Sequence, residues 1–195
     1  MRIFSLFPVM IVSVGLLVSN VCLAEPLITT ESICITVSLT EKDLADGKET
    51  GFEAAMPEPV QFLLKRNTPN GIMLAAVYGT TAENLLGTLP TEMMGFGNYG
   101  ELEEGFSIQV TACDLNGDAI PELLVATGDG AAILTVAVFV YSPHTHECFR
   151  LIGVIEGQRS VHLGADGAIT AAYGSQGLFR EYTVTAGGVL KESTD

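Results

Sequence analysis

The sequence predicts an all-β protein, a mostly antiparallel meander folded into a small sandwich or a partly open propeller-like sheet, with at most one or two short helical turns. Two observations carry this. Beyond the first 24 residues, apolar side chains recur at every second position in short runs, the period of a strand. Turn residues separate those runs at short intervals along almost the whole chain. Strands joined by such short connections pair antiparallel.

Taken in order, Ile33–Leu39 alternates strictly, so Cys34, Thr36 and Ser38 share the polar side of a strand. The segment 41–55 interrupts the pattern, and Glu41 to Asp46 suits one polar helical turn or an irregular loop. Val60–Arg66 and Ile72–Tyr78 flank Asn67-Thr68-Pro69-Asn70-Gly71, whose proline and Asn-Gly pair mark a hairpin. Thr81-Ala82-Glu83-Asn84 resembles a helix start with little room before Gly87 and Pro90. Phe106–Cys113 is a strand with Ser107, Gln109, Thr111 and Cys113 on one face, and a polar loop at 114–122 leads to the apolar run Leu123-Leu124-Val125. Ile133–Tyr141 and Cys148–Ile155 form a further hairpin, and Val161–Leu163 with Ile169–Tyr173 another around Ala165-Asp166-Gly167. Arg180–Val184, the turn at Ala186-Gly187-Gly188 and a short last strand end the meander.

The N-terminus has a different chemistry. Arg2 is followed by an apolar run from Ile3 to Val18 and by the ending Val21-Cys22-Leu23-Ala24, the three parts of a secretory signal with Glu25 as the expected mature start. An uncleaved anchor is disfavoured by the shortness of the run and by Pro8. Lipidation at Cys22 is disfavoured by the poor match of Ser19-Asn20-Val21 to the usual preceding pattern. The expected location is periplasmic or secreted, with no stable membrane span once the signal is removed.

Removing residues 1–24 leaves 171 of 195, the length of one domain spanning residues 25–195. That part holds eight basic and 23 acidic residues, a formal charge of −15, which repels nucleic acid and favours cations or a basic partner. It also holds three cysteines, Cys34, Cys113 and Cys148, which allow at most one internal disulfide. Proximity along the chain favours Cys113 with Cys148, because near neighbours in sequence are usually neighbours in the sheet. Three free thiols are the alternative.

The stretch Asp114-Leu115-Asn116-Gly117-Asp118-Ala119-Ile120-Pro121-Glu122 places three carboxylates and an amide at alternating positions around a glycine. The side-chain oxygens of Asp114, Asn116, Asp118 and Glu122, with the Ile120 carbonyl, form a donor set that a hard, oxygen-seeking cation such as Ca2+ prefers. A plain polar turn is the competing reading, since these residue types also dominate turns. Three carboxylates in nine residues repel one another unless a cation or basic group neutralises them, and no Lys or Arg lies between Arg66 and Arg150.

With Leu123-Leu124-Val125 and the later run Val138–Tyr141, this stretch resembles one repeat of the FG-GAP or VCBS type. The resemblance covers about residues 106–141. It implies calcium bound at Asp114, Asn116, Asp118 and Glu122 between adjacent strands. Ala119 stands where the family carries glycine, and Glu122 where it carries aspartate. One copy of the motif is too few for a propeller of such repeats, so the expectation is a single structural calcium loop in a small exported sheet protein.

Other constellations have ordinary explanations. His144, His146 and Cys148 alternate like ligands for zinc or copper, yet lie in a hairpin loop. Gly95 to Gly100 matches a dinucleotide fingerprint only formally, because Glu101, Glu103 and Glu104 follow it and would repel phosphate. The serine in Tyr173-Gly174-Ser175-Gln176-Gly177 lacks the spacing of a nucleophile elbow, and His162 is the last histidine. The expected function is therefore a non-catalytic binding module for a protein or glycan, a periplasmic inhibitor or immunity protein being one form of it. The alternative is a hydrolase of a glycan or ester, using the calcium loop or the carboxylates at 101–104.

Overall fold

The computed structural model describes residues 25–66, 71–88, 102–142, 148–174 and 176–193. The expected signal at 1–24, the turn at 67–70, the glycine-rich stretch 95–100, Glu101, His144, His146 and Ser175 lie outside the described residues.

The chain opens with β1 (Ile28–Thr30), β2 (Ile35–Thr40) and α1 (Glu41–Ala45). Next come β3 (Thr50–Ala55), β4 (Pro59–Arg66), β5 (Ile72–Tyr78), β6 (Thr81–Asn84) and one 3-10 turn (Leu85–Thr88). The elements described in the second half are all strands: β7 (Ser107–Cys113), β8 (Glu122–Gly128), β9 (Leu134–Tyr141), β10 (Phe149–Leu163), β11 (Ile169–Tyr173), β12 (Leu178–Val184) and β13 (Leu190–Glu192). The all-β expectation holds. Among the described residues every pairing is antiparallel except that of β1 with β10. No described helix is long and apolar enough to cross a membrane.

Strands β8 and β9 carry apolar side chains on both faces because both faces are covered. One face, with Val110, Leu123, Val125, Ala137 and Phe139, packs on Phe62, Leu64 and Leu74 of the four-stranded sheet β3-β4-β5-β6. The other, with Leu124, Ala126, Val136 and Val138, packs on Val161, Leu163, Ile169 and Ala171. The result is three layers with β2, β7, β8, β9 and the start of β10 in the middle. Burial on both faces, which a two-layer sandwich does not give, explains the uninterrupted apolar runs.

The long strand β10 joins two layers. Its first part pairs with β9 through Gly157, and its last part pairs with β11 from Gln158 onward. The two hairpins read from the sequence are both present, but their shared arm, read as separate runs Cys148–Ile155 and Val161–Leu163, is the single strand Phe149–Leu163. The apparent break is a bulge: Gln158 faces Ala172 and Val161 faces Ala171, so Arg159 and Ser160 are extra residues on β10.

Two local readings resolve. Glu41–Ala45 is the helical turn, opened by a capping box between Thr40 and Asp43 and anchored by buried Leu44. Thr81–Asn84 is a strand rather than a helix start, because it completes the hairpin with β5.

The cysteine pairing requires correction. The disulfide joins Cys34 to Cys113, with Cα atoms 4.7 Å apart, and Cys148 is a free thiol. The antiparallel register of β2 on β7, in which Ile35 faces Ala112, puts Cys34 opposite Cys113 at the next step. On this polar side Thr36 and Ser38 of β2 are exposed, whereas Gln109, Thr111 and Cys113 of β7 are buried. Thr36 and Thr111 hydroxyls meet at 3.0 Å. Gln109, 3 % exposed, accepts hydrogen bonds from the Leu27 and Ile28 N–H groups and donates to the Ile28 carbonyl.

Candidate functional site

The loop at 114–122 connects β7 to β8, and the last pair of that ladder is Cys113 with Glu122. Its side chains fold the backbone around themselves, as Asp and Asn do wherever a chain turns sharply. Asp114 accepts from the Gly117 N–H at 2.8 Å and the Ala119 N–H at 2.9 Å. Asn116 Oδ1 accepts from the Asp118 N–H at 2.9 Å, and Asp118 Oδ1 from the Ile120 N–H at 2.8 Å. Ala119 has φ +66°, a left-handed conformation that strains any residue with a Cβ.

Three contacts fix the loop to the body. Leu115 is buried in one core, and Ile120 packs against the other. Gly167, at φ +81° in the β10–β11 turn, lies so close to the Leu115 carbonyl that a Cβ there would collide with it.

Glu122 closes the loop. It is 3 % exposed, and its two oxygens accept from the Leu115 N–H and the Asn116 side-chain amide, both at 2.8 Å. Burial pushes its carboxyl up to about 7; the Leu115 hydrogen bond opposes the rise, and the charges of Asp118 and Asp114 add to it. The Leu115 hydrogen bond thus offsets only part of what burying this carboxylate costs.

All five predicted positions, Asp114, Asn116, Asp118, Ile120 and Glu122, fall in this one loop. Among the described residues no three His, Cys, Asp or Glu side chains are gathered closely enough to hold one ion. The fit to a hard cation rests on the donors themselves. They are all oxygen, and a carboxylate oxygen that accepts one N–H keeps a lone pair for a second partner.

Sequence reasoning missed one basic neighbour. Asn116, Asp118 and Glu122 line a cleft of about 210 Å³ together with Arg150, which β10 brings from far along the chain. Its Nη2 donates to the Gly188 carbonyl at 3.0 Å. The charge argument drawn from the spacing of Lys and Arg is weaker for this, since a guanidinium stands across the cleft. Only the β9–β10 pairing, Val140 to Arg150, could have signalled it.

The remaining candidates are dispersed. The Cys148 N–H donates to Glu83 Oε2 at 3.1 Å, and a hydrogen bond with the Cys148 side chain, helped by burial, pushes the Tyr78 hydroxyl up to about 12. His162 lies on β10, where Nδ1 meets the Thr29 hydroxyl at 3.1 Å and Nε2 faces Glu31 at 3.6 Å. Glu103 and Glu104 are exposed at a turn ahead of β7. Tyr173 carries the Arg180 guanidinium over its ring at 4.5 Å.

No protein-family model matches the chain, and neither does any curated protein or solved structure.

Proposed function

We propose that the chain is an exported β-domain, stabilised by calcium, that works in the periplasm or outside the cell as a non-catalytic binding module for a protein or glycan. The observation that carries the calcium reading is the loop at 114–122. It crowds Asp114, Asp118 and the buried Glu122 into one turn whose two apolar residues anchor separate cores. Asp114, Asn116, Asp118 and the Ile120 carbonyl would hold the ion, and Glu122 would support them from below. Its chemistry there is charge compensation and bracing, not activation of water. The likeness of this loop to an FG-GAP or VCBS repeat supports the same reading.

At a dissociation constant of about 0.1 to 1 mM, usual for extracellular modules, ~1 mM calcium adds roughly 0.4 to 1.4 kcal/mol of stability. Chelation is expected to lower the melting temperature by a few degrees, and Asp114→Ala to abolish the difference. Identical melting curves in calcium and in chelator would sink the calcium reading. Recovery of a stoichiometric partner from periplasmic extract tests the binding role.

A hydrolytic reading has one observation in its favour, a carboxyl raised to about 7 beside the Arg150 cleft. Turnover of a glycan or ester panel, lost in Glu122→Gln, would establish it in place of the binding module.

A further inference from the structure

The outer face of the layer formed by β1, the end of β10, β11, β12 and β13 carries a groove of about 400 Å³. Register fixes what stands in it. One row across the strands is Gln158, Ala172 and Phe179, and the next is Thr29, His162, Thr170 and Glu181. Between these rows the two extra residues of the β10 bulge, Arg159 and Ser160, line the groove.

Two features of this groove are costly to the fold alone. Arg159 has φ +61°, a left-handed backbone that burdens a residue with a Cβ. Such outliers persist where the surrounding structure enforces them, and they cluster at functional sites. Phe179 is 65 % exposed on a strand, opposite an alanine too small to cover its ring. A lone exposed aromatic is ordinary. One that shares a groove with an amide, a guanidinium, an imidazole and two hydroxyls is a mixed apolar and hydrogen-bonding surface, the composition of a ligand site.

We propose that this groove binds a neutral saccharide chain. The proposal rests on the reading of the protein as a binding module and names the ligand class of that module. A pyranose ring has an apolar C–H face, which suits the exposed Phe179 ring. Its rim of hydroxyls both donates and accepts, which suits Gln158, Arg159, Ser160 and Thr170. An acidic saccharide is disfavoured, because Glu31 lies 3.6 Å from His162 Nε2, Glu181 continues the same row, and the whole chain is strongly negative. A purely apolar ligand would strand the polar groups unpaired.

Titration calorimetry of the full mature chain tests this, with neutral hexasaccharides of glucose, mannose, galactose and N-acetylglucosamine as probes and a galacturonate hexamer as the acidic control. Binding of at least one neutral probe is expected, weakened about tenfold by Phe179→Ala. Arg159→Gly is expected to weaken it as well while leaving the melting temperature unchanged or higher, because glycine accepts the left-handed backbone. A merely structural Arg159 would not separate the two readouts in this way. Binding that is indifferent to both substitutions, or preference for the galacturonate, overturns the proposal. No binding to any saccharide, beside a protein partner recovered from extract, overturns the groove assignment and leaves the binding-module reading standing. Cleavage of a probe overturns both.

Discussion

Strand β8 has an Asp- and Gly-bearing loop at each end, and the two are electrostatic opposites. At the exit, Asp129 Oδ1 accepts three backbone N–H groups, from Ala131, Ala132 and Ile133, each at 2.9 Å. Those hydrogen bonds, the one from Ile133 foremost, hold its carboxyl below the usual range. At the entrance, loop 114–122 also satisfies its N–H groups with side chains, yet leaves buried Glu122 raised to about 7. One turn has a single carboxylate and enough donors to stabilise it. The other has three carboxylates and is fastened to both cores. Residues that look alike in sequence thus serve as a self-sufficient turn in one place and a strained, charge-rich brace in the other.

The fastening can be broken first. Cys113 is the stem of the entrance loop, and its bond to Cys34 closes 79 residues of chain. Replacing both cysteines by serine is expected to cost about 4 kcal/mol in urea denaturation, the largest effect anticipated. Gly167→Ala should cost about 3 kcal/mol, because its Cβ meets the Leu115 carbonyl and its φ is +81°. Gly130, in the exit turn at φ +71° with open space around it, should cost only about 1 kcal/mol as Gly130→Ala. Equal losses would show that the entrance loop is no more tightly held than the exit turn.

Acidity separates the two ends in sign. Glu122 has a raised folded value, so between its ordinary 4.5 and about 7 the folded state holds more protons than the unfolded one. Stability in chelator should therefore fall as pH rises through that window, by about 1 to 3 kcal/mol. Asp129 is depressed, so its contribution is present above its ordinary value of 3.8 and lost as pH falls below it. Urea midpoints measured across pH should lose their neutral-side slope in Glu122→Gln and their acid-side slope in Asp129→Asn. The smallest effect runs the other way: Ala119→Gly should raise stability by about 0.5 kcal/mol by relieving φ +66°.

Local pattern was enough to locate most of the fold. Ile72–Tyr78 and Ile169–Tyr173 were read to the residue, and Val60–Arg66 to within one, because alternation and turn residues agree there. What failed was everything set by strands distant in sequence. The Cys34–Cys113 bond depends on β2 bypassing β3 to β6 to reach β7. Arg150 enters the acidic cleft only through the β9–β10 register. The bulge in β10 read as a chain break because Gly157-Gln158-Arg159 interrupts the apolar alternation. The burial of the polar face of β7 was not legible either, since nothing local announces that Gln109 will bind the backbone of residues 27 and 28.

The two bonded cysteines have a topological consequence. All of β3, β4, β5 and β6 lies between them, so one entire layer belongs to a covalently closed ring. A single protease cut at any peptide bond in that layer severs the backbone and releases nothing. The severed chain stays one molecule through sulfur, with one new end running back to β2 and the other on to β7.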